Sequence, residues 1–321
     1  MTSTSRDKSI PGLTPPPVLI FFHIPKTGGL TMFNVVAHCL PEQFFDIDLL
    51  VPDTALWVRS TAKIAKTFKK MPEERQRAVR CLIGNHISMD VAGIFDKPSK
   101  FFTILRAPVD RVISSFYFAR TRREVPSHRF IKDMTLEEYL ESGMGLDYDN
   151  QQVRMLSGCP ELDSTWGPDG RPTSFRPVKR RHLEMAKRNI EHRFIVAAPL
   201  EKFTHLVWFL KRLYGWPTHL ALFRHQNETP DRPPVQAVSE STRRRLEILN
   251  RYDIELYEWV KDRFKKQIEP LEPDFSRQVR RFEMLNCSFR CVRRFTPQPI
   301  HAAMKQLLAP EAAMRSWLNS L

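Results

Sequence analysis

Four mostly apolar runs alternate along the chain with segments of helical spacing. The runs are residues 18–22, 79–83, 101–105 and 194–200. Strands buried in a parallel sheet need no polar alternation, because helices cover both faces of such a sheet. Apolar positions after three of the runs recur at helical spacing. They are Met32, Phe33, Val36, Ala37 and Leu40, then Val109, Val112, Ile113, Phe116 and Tyr117, then Phe203, Leu206, Val207, Leu210 and Leu213. The pattern predicts an α/β fold with a central parallel sheet.

A short turn rich in proline and glycine joins the first predicted strand to its helix. It consists of Pro25, Lys26, Thr27, Gly28, Gly29, Leu30 and Thr31. The two glycines allow the backbone to approach a ligand closely, and free N–H groups at the start of a helix favour an anion. Lys26 adds a mobile positive charge. Together these parts predict a site for phosphate or sulfate.

The turn differs from the phosphate loop of ordinary ATPases and GTPases. That loop requires G-x-x-x-x-G-K-[ST], and alignment of Lys26 and Thr27 with its last two residues places Ile20 and Pro25 where its glycines belong. Short motifs also arise by chance, so the turn alone leaves a plain strand-turn-helix connection open.

A second candidate anion site follows the third predicted strand. Arg106 stands at the carboxyl end of this strand, where open α/β sheets bind ligands. Pro108 suits the first turn of a helix, and Ser114 lies further along it. A guanidinium can hold a phosphate through two hydrogen bonds, to which a serine hydroxyl can add another. Taken singly, Arg106 also suits an ion pair with Asp110, and Ser114 suits an exposed helix position.

The two stretches resemble, in order and distance, the sulfotransferases that use 3′-phosphoadenosine 5′-phosphosulfate (PAPS). The turn, with His23 and Ile24 before it, is similar to their 5′-phosphosulfate loop, particularly in the branch that contains heparan sulfate 2-O-sulfotransferase. Residues 101–111, with Ser114 and Tyr117, look like their 3′-phosphate site. The resemblance covers about residues 18–260 and implies a P-loop NTPase-like central parallel sheet flanked by helices.

We therefore predict three parts of the chain. Residues 1–17 form a disordered N-terminal segment, because they are rich in Ser, Thr and Pro. Residues 18–269 form the sulfotransferase domain. Residues 270–321 form a C-terminal extension that is mostly helical.

The resemblance implies transfer of the sulfuryl group from PAPS to a hydroxyl by in-line displacement. The turn from Pro25 to Thr31 would bind the donor, and Lys26 would neutralise charge on the leaving nucleotide. Arg106 and Ser114 would hold the 3′-phosphate. Leu30 and Thr31 replace the usual Thr-Ser, so one hydroxyl is missing. No metal is expected, because a sulfuryl group carries less charge than a terminal phosphoryl and neither strand offers an acid of the Mg²⁺-binding type.

His86 is the candidate general base. It follows the second predicted strand near Gly84, where the resembled enzymes place a histidine that accepts the proton of the acceptor hydroxyl. An unperturbed histidine pKa of about 6.5 suits this role near neutral pH. Asp46 and Asp48 remain alternatives, because some other sulfotransferases place a carboxylate base in this part of the chain, although surface acids before a turn explain them as well. His23 is interpreted as a packing or hydrogen-bonding neighbour of the loop.

Asn150 and Arg154 are candidates for the acceptor side of the site. Their stretch, D-N-Q-Q-V-R-M-L-S-G, resembles the D-N-x-x-x-R-x-L-x-G stretch that borders the acceptor site in the family. A helix cap and an internal salt bridge explain the two residues equally well.

Composition leaves several classes of partner open. The chain of 321 residues carries a formal net charge of +14, which predicts anionic partners. PAPS and an acidic glycan fit this charge, as would nucleic acid or an anionic membrane surface. We predict a carbohydrate hydroxyl as acceptor and no nucleic acid partner. A P-loop kinase acting on a small molecule and a non-enzymatic basic protein that binds polyanions are the alternatives.

Cysteine use and hydropathy bear on the compartment. The 5 cysteines show no paired framework and no zinc-ligand spacing, which favours a reduced environment. The apolar runs are far shorter than the roughly 18 residues that a membrane span requires. Golgi members of the resembled branch carry an N-terminal membrane anchor. The sequence therefore predicts a cytoplasmic enzyme without a transmembrane segment.

Overall fold

The fold centres on one parallel sheet of five strands. The computed structural model describes residues 16–50, 60–123, 125, 127–143, 148–162, 176–224 and 232–294. The strands are β1 (Val18–Phe21), β2 (Phe44–Asp46), β3 (Cys81–Ile83), β4 (Ser99–Leu105) and β5 (Phe194–Pro199). Their order across the sheet is β2-β3-β1-β4-β5, and every neighbouring pair is parallel. The predicted α/β class is confirmed, and β2 is a strand that the apolar pattern does not reveal.

Helices precede, connect and follow these strands within the described residues. They are α1 (Gly29–Cys39), α2 (Ile47–Leu50), α3 (Thr61–Lys70), α4 (Glu73–Ala78), α5 (Pro108–Thr121), α6 (His128–Ile131), α7 (Leu136–Glu141), α8 (Gln151–Leu156), α9 (Arg180–Arg193), α10 (Phe203–Tyr214), α11 (Glu240–Leu249), α12 (Arg251–Ile268) and α13 (Asp274–Arg294). No helix in these ranges is both long enough and apolar enough to cross a bilayer.

Successive side chains of β1 enter two different hydrophobic clusters, one on each face of the sheet. Val18 and Ile20 join the cluster that contains residues of α3, α9 and α12. Leu19 and Phe21 join the cluster that contains residues of α1, α10 and α13. Because both faces of the sheet are covered, the central strand β1 is apolar throughout its length.

The predicted C-terminal helix packs on the same core as the sheet. Phe275, Val279 and Phe282 of α13 are buried in the cluster that also contains α10. This packing anchors the first part of the predicted extension on the domain, and the boundary at residue 270 stays a prediction. Residues 1–15 and 295–321, which carry the remaining terminal predictions, lie outside the described residues.

Candidate active site

The carboxyl edge of the sheet gathers the residues predicted to bind the donor and to accept a proton. His23 and the predicted anion-binding turn follow β1, Arg106 follows β4, His86 follows β3, and Asp48 lies in α2 directly after β2. Since β1 lies between β3 and β4, the turn lies between His86 and Arg106. Parallel sheets bind ligands at this edge.

The turn after β1 is shaped by its own backbone. Lys26 and Gly28 have φ values of 69° and 86°, in the left-handed region. The buried Thr27 hydroxyl donates to the Ile24 carbonyl oxygen at 2.7 Å. The helix α1 begins at Gly29, and the Gly28 carbonyl accepts its first bond from Met32 N–H at 3.1 Å. The N–H groups of the first turn of α1 therefore have no acceptor within the helix and can face an anion.

The two glycines of the turn are required for different reasons. A Cβ atom on Gly29 would lie 1.9 Å from Nε2 of His23, so this imidazole fills the space of a side chain there. A Cβ on Gly28 would lie 3.0 Å from Cδ1 of Leu200, and the backbone is also left-handed. Of the other predicted donor-binding residues, Leu30 has an exposed side chain, Pro25 is partly buried and Thr31 is buried.

Arg106 joins the two predicted anion sites. Its Nη1 donates to the Lys26 carbonyl oxygen at 2.9 Å, so the end of β4 and the turn after β1 are in direct contact. Gln152 fixes the backbone of Arg106 by accepting from its N–H at 3.0 Å and donating to its carbonyl at 2.9 Å. Ser114 is buried on α5, with 3% of its surface exposed. The structure thus brings Lys26 and Arg106 into one site, while Ser114 lies in the protein interior.

An acidic side chain bridges two arginines in this site. Asp110 accepts from Nε of Arg106 and from an Nη of Arg232, both at 2.6 Å. The ion pair between Arg106 and Asp110, the alternative for this arginine, is therefore present. Arg232 adds a second guanidinium. In the sequence it is seen only as the first residue of an Arg-Pro pair far along the chain from Asp110. A phosphate could replace Asp110 as the partner of both.

Lys26 lies among positive charges. Its Nζ is 3.6 Å from the centroid of the Phe118 ring, a cation–π contact. Burial, together with the nearby charges of Arg106, Arg122 and Arg232, lowers the pKa of Lys26 to about 7. An anion bound beside Lys26 would stabilise its charged form. Phe118 and Arg122 belong to α5 and the residue after it, and the sequence pattern gives no sign of their contact with the turn.

On the other side of β1, a hydrogen-bonded chain joins three strand ends. Asn85 donates its side-chain amide to Asp48 Oδ2 at 2.6 Å, and its backbone N–H lies 3.2 Å from both Asp48 oxygens. The Asn85 amide oxygen in turn contacts Nδ1 of His23. His86 follows with φ of 56°, a left-handed conformation. Asp48 is thus a structural partner of Asn85, which differs from the surface acid that the sequence alone suggests.

His23 is held as a neutral imidazole. The pKa of His23 is lowered to about 4, chiefly by burial. The charges of His86 and Lys26 also lower it, whereas the hydrogen bond with Asn85 raises it by less. The prediction that His23 is a packing and hydrogen-bonding neighbour of the turn agrees with these contacts.

Asn150 forms part of a pair of helix caps. Its side-chain oxygen accepts from the N–H groups of Tyr252 at 2.8 Å and Asp253 at 3.0 Å, at the start of α12. The Asp253 carboxylate accepts from the N–H groups of Gln152 at 3.0 Å and Val153 at 2.7 Å, at the start of α8. These contacts match the helix cap that the sequence leaves open for Asn150, although the capped helix is α12.

Arg154 is buried with 3% of its surface exposed. Its Nη1 donates to the carbonyl oxygens of Arg176 at 3.0 Å and Leu162 at 3.3 Å, and its Nη2 lies 3.9 Å from Asp149. These contacts match the internal salt bridge that the sequence offers as the alternative to acceptor binding. The stretch thus supports Arg106 through Gln152, and neither Asn150 nor Arg154 presents its side chain at the surface.

A separate group of possible metal ligands lies between α8 and α9. The ligand atoms of Cys159, Glu161 and His182 lie within 4.8 Å of one another. The Lys179 N–H donates to Nδ1 of His182 at 3.0 Å, so Nδ1 is an acceptor, while Nε2 lies 2.7 Å from Glu161 and 3.1 Å from Nε of Arg181. A metal-bound histidine has the reverse arrangement, in which its second nitrogen donates. We therefore assign this group as a hydrogen-bonded network.

Comparisons with known proteins identify the family. The family model described as galactose-3-O-sulfotransferase matches residues 6–315. Heparan-sulfate 6-O-sulfotransferase 1 of Cricetulus griseus is 27% identical over 305 residues, which cover 83% of this chain and 70% of that protein. The Homo sapiens protein of that name is 26% identical over 302 residues, covering 83% and 69%. Heparan-sulfate 6-O-sulfotransferase 2 of Homo sapiens is 28% identical over 216 residues, covering 58% and 33%.

The fold and the site define an α/β protein with an anion-binding turn at the carboxyl edge of a parallel sheet. The chain belongs to the galactose-3-O-sulfotransferase family. It is therefore an enzyme, a carbohydrate sulfotransferase of the PAPS-dependent class. The predicted family is confirmed, with one difference: these relatives are 6-O-sulfotransferases, whereas the sequence motifs resemble the 2-O branch.

Proposed function

We propose that this enzyme transfers the sulfuryl group of PAPS to a hydroxyl of a glycan, with His86 as general base. The observation that carries the proposal is the hydrogen bond from Arg106 Nη1 to the Lys26 carbonyl oxygen at 2.9 Å. Through this contact, two anion-binding elements from separate strands form one site. A donor with phosphate groups at both the 5′ and 3′ positions needs two such elements side by side.

The turn after β1 and Lys26 would bind the phosphosulfate end of the donor. The N–H groups at the start of α1 would bind the 5′-phosphate, and the Lys26 ammonium would exchange its contact with Phe118 for the bridging oxygen. That oxygen gains charge as its bond to sulfur breaks, so a cation placed there stabilises the transition state. Arg106 and Arg232 would hold the 3′-phosphate in place of Asp110.

The order of the strands suits an in-line reaction. Arg106 at β4 would fix the nucleotide on one side of the turn, and His86 at β3 lies on the other side. The acceptor oxygen would form a bond to sulfur from the His86 side while the bond to the bridging oxygen breaks. The hydroxyl proton passes to His86, and 3′-phosphoadenosine 5′-phosphate (PAP) leaves with the bridging oxygen. Catalysis then consists of positioning and charge stabilisation.

A glycan acceptor is supported by the family and by charge. The matching relatives are named for their action on heparan sulfate, an anionic polysaccharide. The formal charge of +14 favours association with such a polymer. Near the turn, the charge of Arg122 lowers the pKa of Lys26, so a further cation lies close to the candidate site.

A donor assay tests this function against the P-loop kinase. Purified protein would be incubated with a mixture of heparan sulfate and other glycans, together with ³⁵S-labelled PAPS and a chelator of divalent metals. Label in the glycan supports the proposal. ATP turnover that depends on a divalent metal, with no transfer from PAPS and no binding of PAP, would establish the kinase instead.

A further inference from the structure

The chain of hydrogen bonds from Asp48 to His23 determines where protons lie beside the turn. A carboxylate only accepts hydrogen bonds, so the Asn85 amide must turn its NH₂ group to Asp48, as the 2.6 Å contact shows. Its oxygen then faces His23. An amide oxygen also only accepts, so Nδ1 of His23 carries the proton and Nε2 carries the lone pair.

The same carboxylate also holds the backbone that carries His86. Both oxygens of Asp48 lie 3.2 Å from the Asn85 N–H, so backbone and side chain of Asn85 are fixed together. The next residue, His86, has a left-handed conformation that is costly for a residue with a Cβ. A Cβ on Gly84 would lie 2.7 Å from Cβ of Ile47, which shows how closely this segment packs on the start of α2.

We propose that Asp48 is a positioning residue that acts through Asn85. It sets the Nδ1–H tautomer of His23 and holds the backbone turn that presents His86. Asp48 itself takes no proton from the acceptor. Its effect on turnover rests on the proposed function, whereas its effect on the tautomer of His23 can be measured without any reaction.

The chain offers an exchange of two residues as a test. In the variant Asp48→Asn, the new amide at position 48 can either donate to Asn85 or accept from it, so it no longer fixes the orientation of the Asn85 amide. The NH₂ groups of both residues then compete for too few acceptors. In the double variant Asp48→Asn/Asn85→Asp, the contacts between residues 48, 85 and 23 again each pair a donor with an acceptor. The amide at position 48 donates to the new carboxylate and accepts the backbone N–H of residue 85. The second carboxylate oxygen accepts from Nδ1 of His23.

Nitrogen NMR of protein labelled with ¹⁵N-histidine reads the tautomer directly. The His23 signals would be assigned by their loss in His23→Asn. We expect Nδ1–H in the wild type, a mixture of both tautomers in Asp48→Asn and Nδ1–H again in the double variant. Asp90→Asn, which changes an exposed acid four residues beyond His86, is the control and should leave the spectrum unchanged.

Steady-state kinetics with labelled PAPS add the second readout. We expect Asp48→Asn to lower kcat by roughly tenfold to a hundredfold through misplacement of His86, with little change in KM for PAPS. The double variant should recover most of this loss.

Three results would overturn the proposal: Nε2–H in the wild type, an unchanged spectrum in Asp48→Asn, or a double variant that restores the tautomer yet stays as slow as Asp48→Asn. The last result would make Asp48 the base. If the wild-type protein transfers no sulfuryl group, the proposed function is refuted but the role of Asp48 is not. The tautomer of His23 in the NMR spectra then decides that role.

Discussion

The two halves of the carboxyl edge differ in how they hold charge. On the β4 side of β1, Arg106 and Arg232 share the carboxylate of Asp110, and the charges of both arginines also act on Lys26. On the β3 side, a neutral imidazole, an amide and one carboxylate form a chain of hydrogen bonds in which each proton has a fixed position. The first half suits recognition of an anionic donor, and the second suits a proton transfer from the acceptor.

In the proposed function, this contrast would allow one sheet edge to serve both the donor and the acceptor. On the β4 side, the charges of Lys26, Arg106 and Arg232 exceed that of Asp110, and a bound anion would compensate them further. The β3 side is already compensated, because its donors and acceptors are matched within the protein. Substitutions on the two sides should therefore have different effects on turnover and on binding.

The variant His86→Asn tests the β3 side. Asparagine adopts the left-handed backbone more readily than most residues, so this change removes the base while the turn keeps its shape. We expect kcat to fall by roughly two to four orders of magnitude, the usual contribution of a general base. The assay is transfer from labelled PAPS, and PAP affinity should stay close to that of the wild type. His219→Asn, at an exposed position, is the matched control. Near-normal turnover in His86→Asn would assign the base elsewhere.

The variant Lys26→Met tests the β4 side. Methionine keeps an unbranched side chain against Phe118 and removes the charge, so we expect turnover to fall by roughly two to three orders of magnitude. Retention on immobilised heparin should change little, because one charge among 50 Lys and Arg residues hardly alters the overall field. Lys63→Met, an exposed lysine of α3, serves as control. Equal small losses in both variants would favour a basic protein that only binds polyanions.

The variant Asn150→Ala tests the support beneath the β4 side. It removes the side-chain acceptor at the start of α12 and the donor to Leu249 at 2.6 Å, all in the interior. We expect the free energy of unfolding to fall by about 2–4 kcal/mol, from the lost cap and the buried groups left without partners. Urea denaturation measures this value. If the variant has normal stability and a raised KM for the glycan, this result would support a role for Asn150 in acceptor binding.

The pH dependence of PAP binding gives the smallest predicted effect. Lys26 has a pKa of about 7 in the free enzyme, and a bound anion raises it. Above pH 7, binding therefore takes up a proton, and affinity falls as pH rises, by at most about tenfold per pH unit. Below pH 7, Lys26 is already charged and its contribution is constant. Calorimetry in two buffers of different ionisation enthalpy counts the protons. Uptake that persists in Lys26→Met would show that another group titrates.

The sequence predicts best what is contiguous along the chain. The turn from Pro25 to Thr31 and the strand before Arg106 can be recognised because strand, turn and helix follow one another directly. Their proximity in space follows from the parallel sheet. The pairing of Arg106 with Asp110 is also predictable, since Asp110 lies only four residues beyond Arg106, in the first turn of α5.

The remaining features depend on the order of strands and on burial, which a single sequence does not display. Asp48, Asn85 and His23 come from three distant segments, and only the order β2-β3-β1 brings them together. Asn150 has the residue type of a binding group, yet its partners lie about a hundred residues away in α12. Polar residues in a motif therefore cannot be divided into ligand contacts and internal caps until the packing is known.

The central claim is that Lys26 and Arg106 hold opposite ends of one nucleotide. The most direct test is calorimetric binding of PAP and of AMP, which lacks the 3′-phosphate, to the wild type and to Arg106→Gln. We predict that Arg106→Gln weakens PAP binding by about tenfold to a hundredfold, the value of charged hydrogen bonds to phosphate, and that AMP binding changes much less. An equal loss for both nucleotides, or no loss for either, would contradict the claim.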